Sequence, residues 1–118
     1  MQHIQGEERN QLQMFCLEQV IEADSFVRVI DFFVDSIDLA SFGFRHVSVK
    51  EEGRPPYHPA VLLKLYFYGY RYGVRSSRKL EREAKLNLEV RWLLCEQTPS
   101  ARTICMFRKE YADAFRNI

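Results

Sequence analysis

Apolar residues recur at helical spacing through most of the chain. In "ADSFVRVIDFFVDSIDL", Phe26, Ile30, Phe33 and Ile37 fall at i, i+4, i+7 and i+11, which is one face of a helix. Asp24 or Ser25 is placed to cap it, and Asp31, Asp35 and Asp38 lie off that face, leaving an acidic side toward water. The stretch "SFGFRHVSVKEEGRPPY" reads as a connector punctuated by Gly43, Gly53, Pro55 and Pro56, with a short extended piece around "RHVSV". Pro59, directly after His58, marks a helix start, because the missing N–H of proline would have no partner in a first turn. "AVLLKLYFYGYRYG" is then apolar on nearly all sides until Gly69 and Gly73, as in a buried central helix. The alternation of Tyr66, Tyr68, Tyr70 and Tyr72 also fits a strand, but Pro59 and the lack of an obvious partner strand favour the helix.

The second half continues the helical pattern. Leu80, Ala84 and Leu88 recur four residues apart, with Ser76 or Ser77 as cap and Arg78, Lys79, Arg82 and Lys85 off the apolar line. Asn87 breaks this helix through its tolerance of a left-handed backbone, and "LEVRWLL" gives a second short helix with Trp92 in the core. Pro99 and Ser100 announce a final helix, in which Ile104, Phe107, Tyr111 and Phe115 share one face. Arg102, Met106, Lys109 and Asp113 fall on the opposite side. The expected architecture is a single all-α domain over 1–118, a compact multi-helix bundle whose first 18 residues form a partly ordered lead-in.

Charge changes this picture more than composition does. The net charge is only +1, yet residues 1–50 hold eight acidic against four basic residues, and the window 53–109 holds twelve basic against four acidic. Such a split points the second part of the chain toward a polyanion, the plainer alternative being solvated helix faces. Cys16, Cys95 and Cys105 are odd in number and lack CxxC spacing, so they read as free thiols rather than a disulfide frame or a zinc site. His3, His46 and His58 show no metal-ligand spacing, and no metal or cofactor is expected. No secretory leader is visible, and the most apolar run is interrupted by Lys64 and too short to span a bilayer, so a cytoplasmic protein is expected.

Five cations, Arg71, Arg75, Arg78, Lys79 and Arg82, stand within twelve positions. Two short helices with a tight joint, followed by a helix with Arg and Lys on its outer side, fit a helix-turn-helix-like C-terminal half. In such readers one helix enters the major groove and its N-terminal residues meet base edges. The five cations then hold phosphates, and Ser100, Arg102, Thr103 and Lys109 on the final helix face the duplex. Exposed pairing of the cations with Glu81, Glu83 or Glu89 is the competing reading. Arg54 is either a phosphate contact or a loop-stabilising residue, and the tyrosines of 66–72 are better explained by burial than by stacking on bases.

The segment "GRPPYHPAVLLKLYFYGYRYGVRSSRKLEREAKLNLEVRWLL", followed by "RTICMFRKE", closely resembles the N-terminal (InsH-like) domain of bacterial insertion-sequence transposases. "GRPPY", "LLKLY-x-YGY", "RSSRKLERE" and "RTI-x-x-FR" stand in that family's order, and the likeness runs from about Gln13 to the last residue. Met106 stands where the family usually carries a basic residue. The resemblance implies a helical DNA-binding module ahead of a metal-dependent Asp/Asp/Glu nuclease domain. The whole protein is then expected to bind the terminal inverted repeats of a mobile element. It also implies that this chain binds without cutting, since it stops where the nuclease domain begins. Implied partners are double-stranded DNA and a downstream catalytic domain; the rival readings are a pairing module, in which the acidic helix 24–38 aligns two copies as a homodimer, and an inactive truncated remnant.

Overall fold

Three N-terminal signals set the helices of the second half. Pro59 opens α3 (Pro59–Tyr72), with the His58 ring nitrogen Nδ1 accepting from the Ala60 N–H at 3.0 Å. The Ser76 hydroxyl accepts from the Lys79 N–H at the start of α4 (Ser77–Leu86). The Ser100 hydroxyl accepts from the Thr103 N–H at the start of α6 (Ala101–Glu110). Each satisfies an N–H that a helix start leaves without an internal partner. Between them lies α5 (Leu88–Leu93), and before them α1 (Leu17–Val20) and α2 (Phe26–Ser36). The computed structural model describes residues 2–39 and 57–112, and among these every regular element is helical. The expectations for the connector and its extended piece, for Arg54, and for Asp113 and Phe115 lie outside the described residues.

The core is continuous. Leu63 and Leu65 of α3, Leu80 and Ala84 of α4, and Val90, Leu93 and Leu94 at α5 are essentially free of solvent contact. α5 sits in the middle, packing against α1, α2, α3 and α4, whereas α6 packs chiefly on α4. The end of α3 turns on two glycines. Gly73 caps it with φ 74°, and a Cβ at Gly69 would stand 2.5 Å from the Val74 carbonyl oxygen. That close approach lets the chain reverse into α4.

Several expectations are corrected here. The inward face of α2 is Val27, Ile30 and Val34, so the helix is rotated from the Phe26/Ile30/Phe33/Ile37 line. Phe26 and Phe33 sit at its rim because α3 meets them there: Phe33 packs edge-on against Phe67 with ring centroids 5.5 Å apart. Asp31 and Asp35 do not simply face water, since Lys64 Nζ reaches them at 2.7 and 3.1 Å. Ser25 occupies the position before α2, but its hydroxyl donates to Glu89 across the fold rather than capping. Of the α3 tyrosines only Tyr68 is buried, and Tyr70 is 75% exposed.

Asn87 breaks α4 in an extended conformation (φ −85°, ψ 120°), not a left-handed one. It does so by capping α5, its Oδ1 accepting from Glu89 N–H at 2.8 Å and Val90 N–H at 3.3 Å. Its Nδ2 donates to the Tyr68 hydroxyl and to Glu83 Oε1, which also accepts from Tyr68 at 2.7 Å. Leu88, expected inward, is half exposed because it opens α5 instead of continuing α4. Trp92 is partly buried, its indole N–H donating to Glu18 Oε1 at 2.9 Å beneath the Arg28 guanidinium.

Candidate nucleic-acid interface

The burial of Leu80 and Ala84 dictates what α4 shows to water. With those two residues inward, Arg78, Lys79, Arg82 and Lys85 point outward and are exposed. Glu81 lies on the flank toward α6. Its Oε1 accepts from the Ala101 N–H, the first residue of α6, at 3.0 Å, and its Oε2 from Lys85 Nζ at 3.1 Å. The Lys85 bond, and then the Ala101 N–H, hold the Glu81 carboxyl below its ordinary value.

α6 is arranged by the same logic. Ile104 and Phe107 are buried, and Arg102, Cys105, Met106 and Lys109 face water. The hydroxyls of Ser100 and Thr103 lie 3.0 Å apart, so both are engaged in the cap while remaining at the solvent edge. At the far end Arg108 donates to the Arg75 carbonyl at 2.7 Å. The start of α6 therefore meets the middle of α4 and its end meets Arg75, just ahead of the Ser76 cap of α4, so the two helices run antiparallel.

The Lys and Arg side chains of residues 57–112 divide in three. Lys64, Lys85 and Arg91 are ion-paired with carboxylates, and Arg108 is held by a carbonyl. The side chains of Arg75, Arg78, Lys79, Arg82, Arg102 and Lys109 make no hydrogen bond or ion pair within the described residues. Arg71 differs again. Its guanidinium lies over the rings of Phe26 and Tyr72, 4.8 and 5.6 Å from their centroids, with no carboxylate partner among the described residues. It stands at the α2–α3 seam, whereas the others flank the α4–α6 pair. Of the carboxylates expected to compete, Glu81 takes Lys85, Glu83 takes Tyr68 and Asn87, and Glu89 takes the Ser25 hydroxyl.

Glu81 and Arg108 were not among the candidates read from the sequence. Arg108 closes the "RTI-x-x-FR" motif and follows the buried Phe107, but neither signal shows its bond to the Arg75 carbonyl. Glu81 stands four residues before Lys85 and was named as a pairing partner, but nothing local marks its bond to Ala101, 20 residues away. Two further local features complete the region. The turn after α5 puts Cys95 and Glu96 at φ 52° and 66°, and Glu96 is pinned there by two bonds from Arg91, both 2.8 Å. The three cysteines are free and exposed.

Among the described residues no group of three or more His, Cys, Asp or Glu could hold a metal ion, and no helix is long and apolar enough to cross a membrane. No curated protein and no solved structure matches the chain. A family model does, that of the Transposase domain (DUF772), over residues 15–110. That match takes in every described helix, the capped starts of α3, α4 and α6 and all the cations just placed, and so the chain belongs to the DUF772 transposase-domain family.

Proposed function

We propose that this chain is the DNA-binding part of an insertion-sequence transposase and recognises duplex DNA at the terminal inverted repeats of its element. The division of the cations carries the reading. Among the described residues, a fold that satisfies Lys64, Lys85, Arg91 and Arg108 internally leaves the side chains of Arg75, Arg78, Lys79, Arg82, Arg102 and Lys109 without a hydrogen bond or ion pair, Arg78 standing only in the field of Glu81, and Arg71 held on rings. Phosphate oxygens are the anions that such a surface fits. In this reading α4 and Arg71 anchor the backbone, and α6 is the reading helix of a helix-turn-helix-like half, with Arg102 beside the Ser100–Thr103 cap at its N-terminal end. Cutting and joining belong to a catalytic domain elsewhere in the transposase, and the site of action is the cytoplasm, where bacterial DNA lies.

The test is selection of bound duplexes from a random pool at low and near-physiological salt. If all seven cations meet phosphates, log K falls against log salt with a slope near −6, about 0.9 per phosphate. Arg102→Ala is expected to weaken selection of the enriched motif, and Lys79→Ala to weaken all sequences alike and flatten the slope by about 1. A slope shallower than about −2 would remove the phosphate-anchor role. Steep binding with no motif would take α6 out of the readout.

A second reading, pairing of two copies, is favoured by one observation: Val29 and Phe32 on the outer side of α2 are 54% and 75% exposed. Sedimentation of the free chain tests it, with Phe32→Asp as the probe. Phe33 is a poorer probe because it also packs on Phe67. A wild-type chain that stays monomeric refutes the pairing.

A further inference from the structure

We infer that Glu81 is a positioning residue of the DNA-facing surface: it seats the first turn of α6 on α4 and withholds Lys85 from the set of available cations. The inference rests on the DNA-binding reading.

α6 rests chiefly on a single helix. Its principal neighbour is α4, and its link to α5 runs through residues 94–100, including the left-handed pair Cys95 and Glu96. A helix start has N–H groups without internal partners. Ser100 accepts from the Thr103 N–H, and the Ala101 N–H is taken by Glu81, from another helix. An acceptor supplied locally would leave α6 free to slide and rotate on α4, and one fixed to α4 does not.

The second tie, Arg108 to the Arg75 carbonyl, lies seven residues further on, about 10 Å along the axis. Two ties at the ends of such a lever fix both the shift and the rotation of α6. Arg102 directly follows Ala101, so its direction is set by the Glu81 bond. Base readout needs placement to about 0.5 Å, and the Glu81 bond adds a directional tie to the packing of Ile104, Phe107 and Tyr111.

The other oxygen has a separate effect. With Oε2 on Lys85 Nζ at 3.1 Å, the pair adds no net charge to a face on which α4 also exposes Arg78, Lys79 and Arg82. Glutamine at this position keeps a carbonyl oxygen for Ala101 and releases Lys85. Alanine releases Lys85 and also leaves Ala101 without its acceptor. The two substitutions therefore share the charge change and differ in the seat.

The experiment compares the wild-type chain, Glu81→Gln and Glu81→Ala in duplex selection, in competition against random DNA, and in amide exchange at Ala101 and Arg102. Both variants are expected to steepen the salt slope by about 1, as Lys85 reaches phosphate. Glu81→Gln is expected to keep the ratio of selected to random binding within about threefold. Glu81→Ala is expected to lose at least about tenfold of that ratio while binding random DNA no more weakly, and to exchange the Ala101 amide faster. A residue with a merely structural role would lower both kinds of binding together with the thermal midpoint. The inference is overturned if Glu81→Ala keeps its selectivity, or if Glu81→Gln loses as much as Glu81→Ala. A wild-type chain that selects no duplex removes the DNA reading and this inference with it. Amide exchange is independent of DNA, and unchanged protection at Ala101 in Glu81→Ala would sink the seating role alone.

Discussion

Asn87 joins two helices with one side chain, and its replacement separates two kinds of interaction. Its Oδ1 caps α5 by accepting from two N–H groups, and its Nδ2 donates to Tyr68 and Glu83. Loss of an N-cap costs about 1 kcal/mol, and loss of a part-buried side-chain hydrogen bond about another 1. Asn87→Ala is therefore expected to lose about 2 kcal/mol, or about 8 °C in the thermal midpoint of a domain of this size. Asn87→Ser keeps an acceptor for the cap and is expected to lose about half as much.

Asn87→Asp keeps the cap geometry but sets a carboxylate where Glu83 Oε1 now receives an N–H at 3.0 Å. Two carboxylates at that range repel by several kcal/mol at an effective dielectric near 20, about 4 at 4 Å. At neutral pH the aspartate variant should thus be no more stable than the alanine one, although it differs from asparagine by one atom. Mutual repulsion raises the folded-state pKa of the pair above its unfolded value. The variant is then least handicapped below the ordinary carboxylate range and loses stability relative to wild type as pH rises through it. Urea unfolding followed by helical circular dichroism, run for all four proteins from about pH 4 to pH 7, measures this. Wild-type stability in Asn87→Asp at pH 7 would refute the donor role of Nδ2. A loss under about 0.5 kcal/mol in Asn87→Ala would refute the cap.

Other perturbations follow from the same structure. Gly69→Ala should lose about 2 kcal/mol in chemical unfolding, despite the better helix propensity of alanine, because its Cβ would meet the Val74 oxygen at 2.5 Å and Leu80 Cδ2 at 3.2 Å; a stabilised variant would contradict the close approach. Cys95→Gly should gain about 0.5 kcal/mol by relieving φ 52°, read as a higher thermal midpoint, and a lower midpoint would refute the strain. Bonds from Trp92 to Glu18, from Lys85 to Glu81 and from Arg91 to Glu96 hold these carboxyls below their ordinary 4.5. A depressed folded value stabilises above the unfolded pKa, so the midpoint should be flat from about pH 7 to pH 5 and fall in more acid solution. Burial, then the Glu83 bond, raises the Tyr68 hydroxyl above 10.0, and burial raises that of Tyr111. Their contribution is complete below pH 10 and lost above it, and tyrosinate absorbance should appear together with unfolding.

The features legible in the sequence were those written locally. Pro59, Ser76 and Ser100 announce α3, α4 and α6 because a cap bonds within its own first turn. The apolar lines of α4 and α6 were legible for the same reason, since Leu80, Ala84, Ile104 and Phe107 repeat at helical spacing. The rotation of α2 was not, because its phenylalanines are large enough to mimic a core stripe while serving as the rim against α3. Lys64 lies 33 residues from Asp31 and a turn less from Asp35, and nothing near either marks the other. The candidate cations were visible as a cluster, but which of them the fold would satisfy was not. Glu81 could have paired with Arg78 as readily as with Lys85 on spacing alone, and only the position of α6 turns one of its oxygens toward Ala101.

The division between satisfied and unsatisfied cations also has a consequence for handling the protein. Several acidic side chains of the first half are spent inward or on neighbours: Asp31 and Asp35 on Lys64, and Glu18 on Arg28 and Trp92. Retention on a charged matrix follows the local face that touches it, not the sum of all charges. At a pH equal to its isoelectric point of about 7.7, this chain should still adhere to a sulfated polysaccharide column. It should elute there at a salt concentration higher than its titration curve alone would suggest, with the face of α4 and α6 turned to the resin.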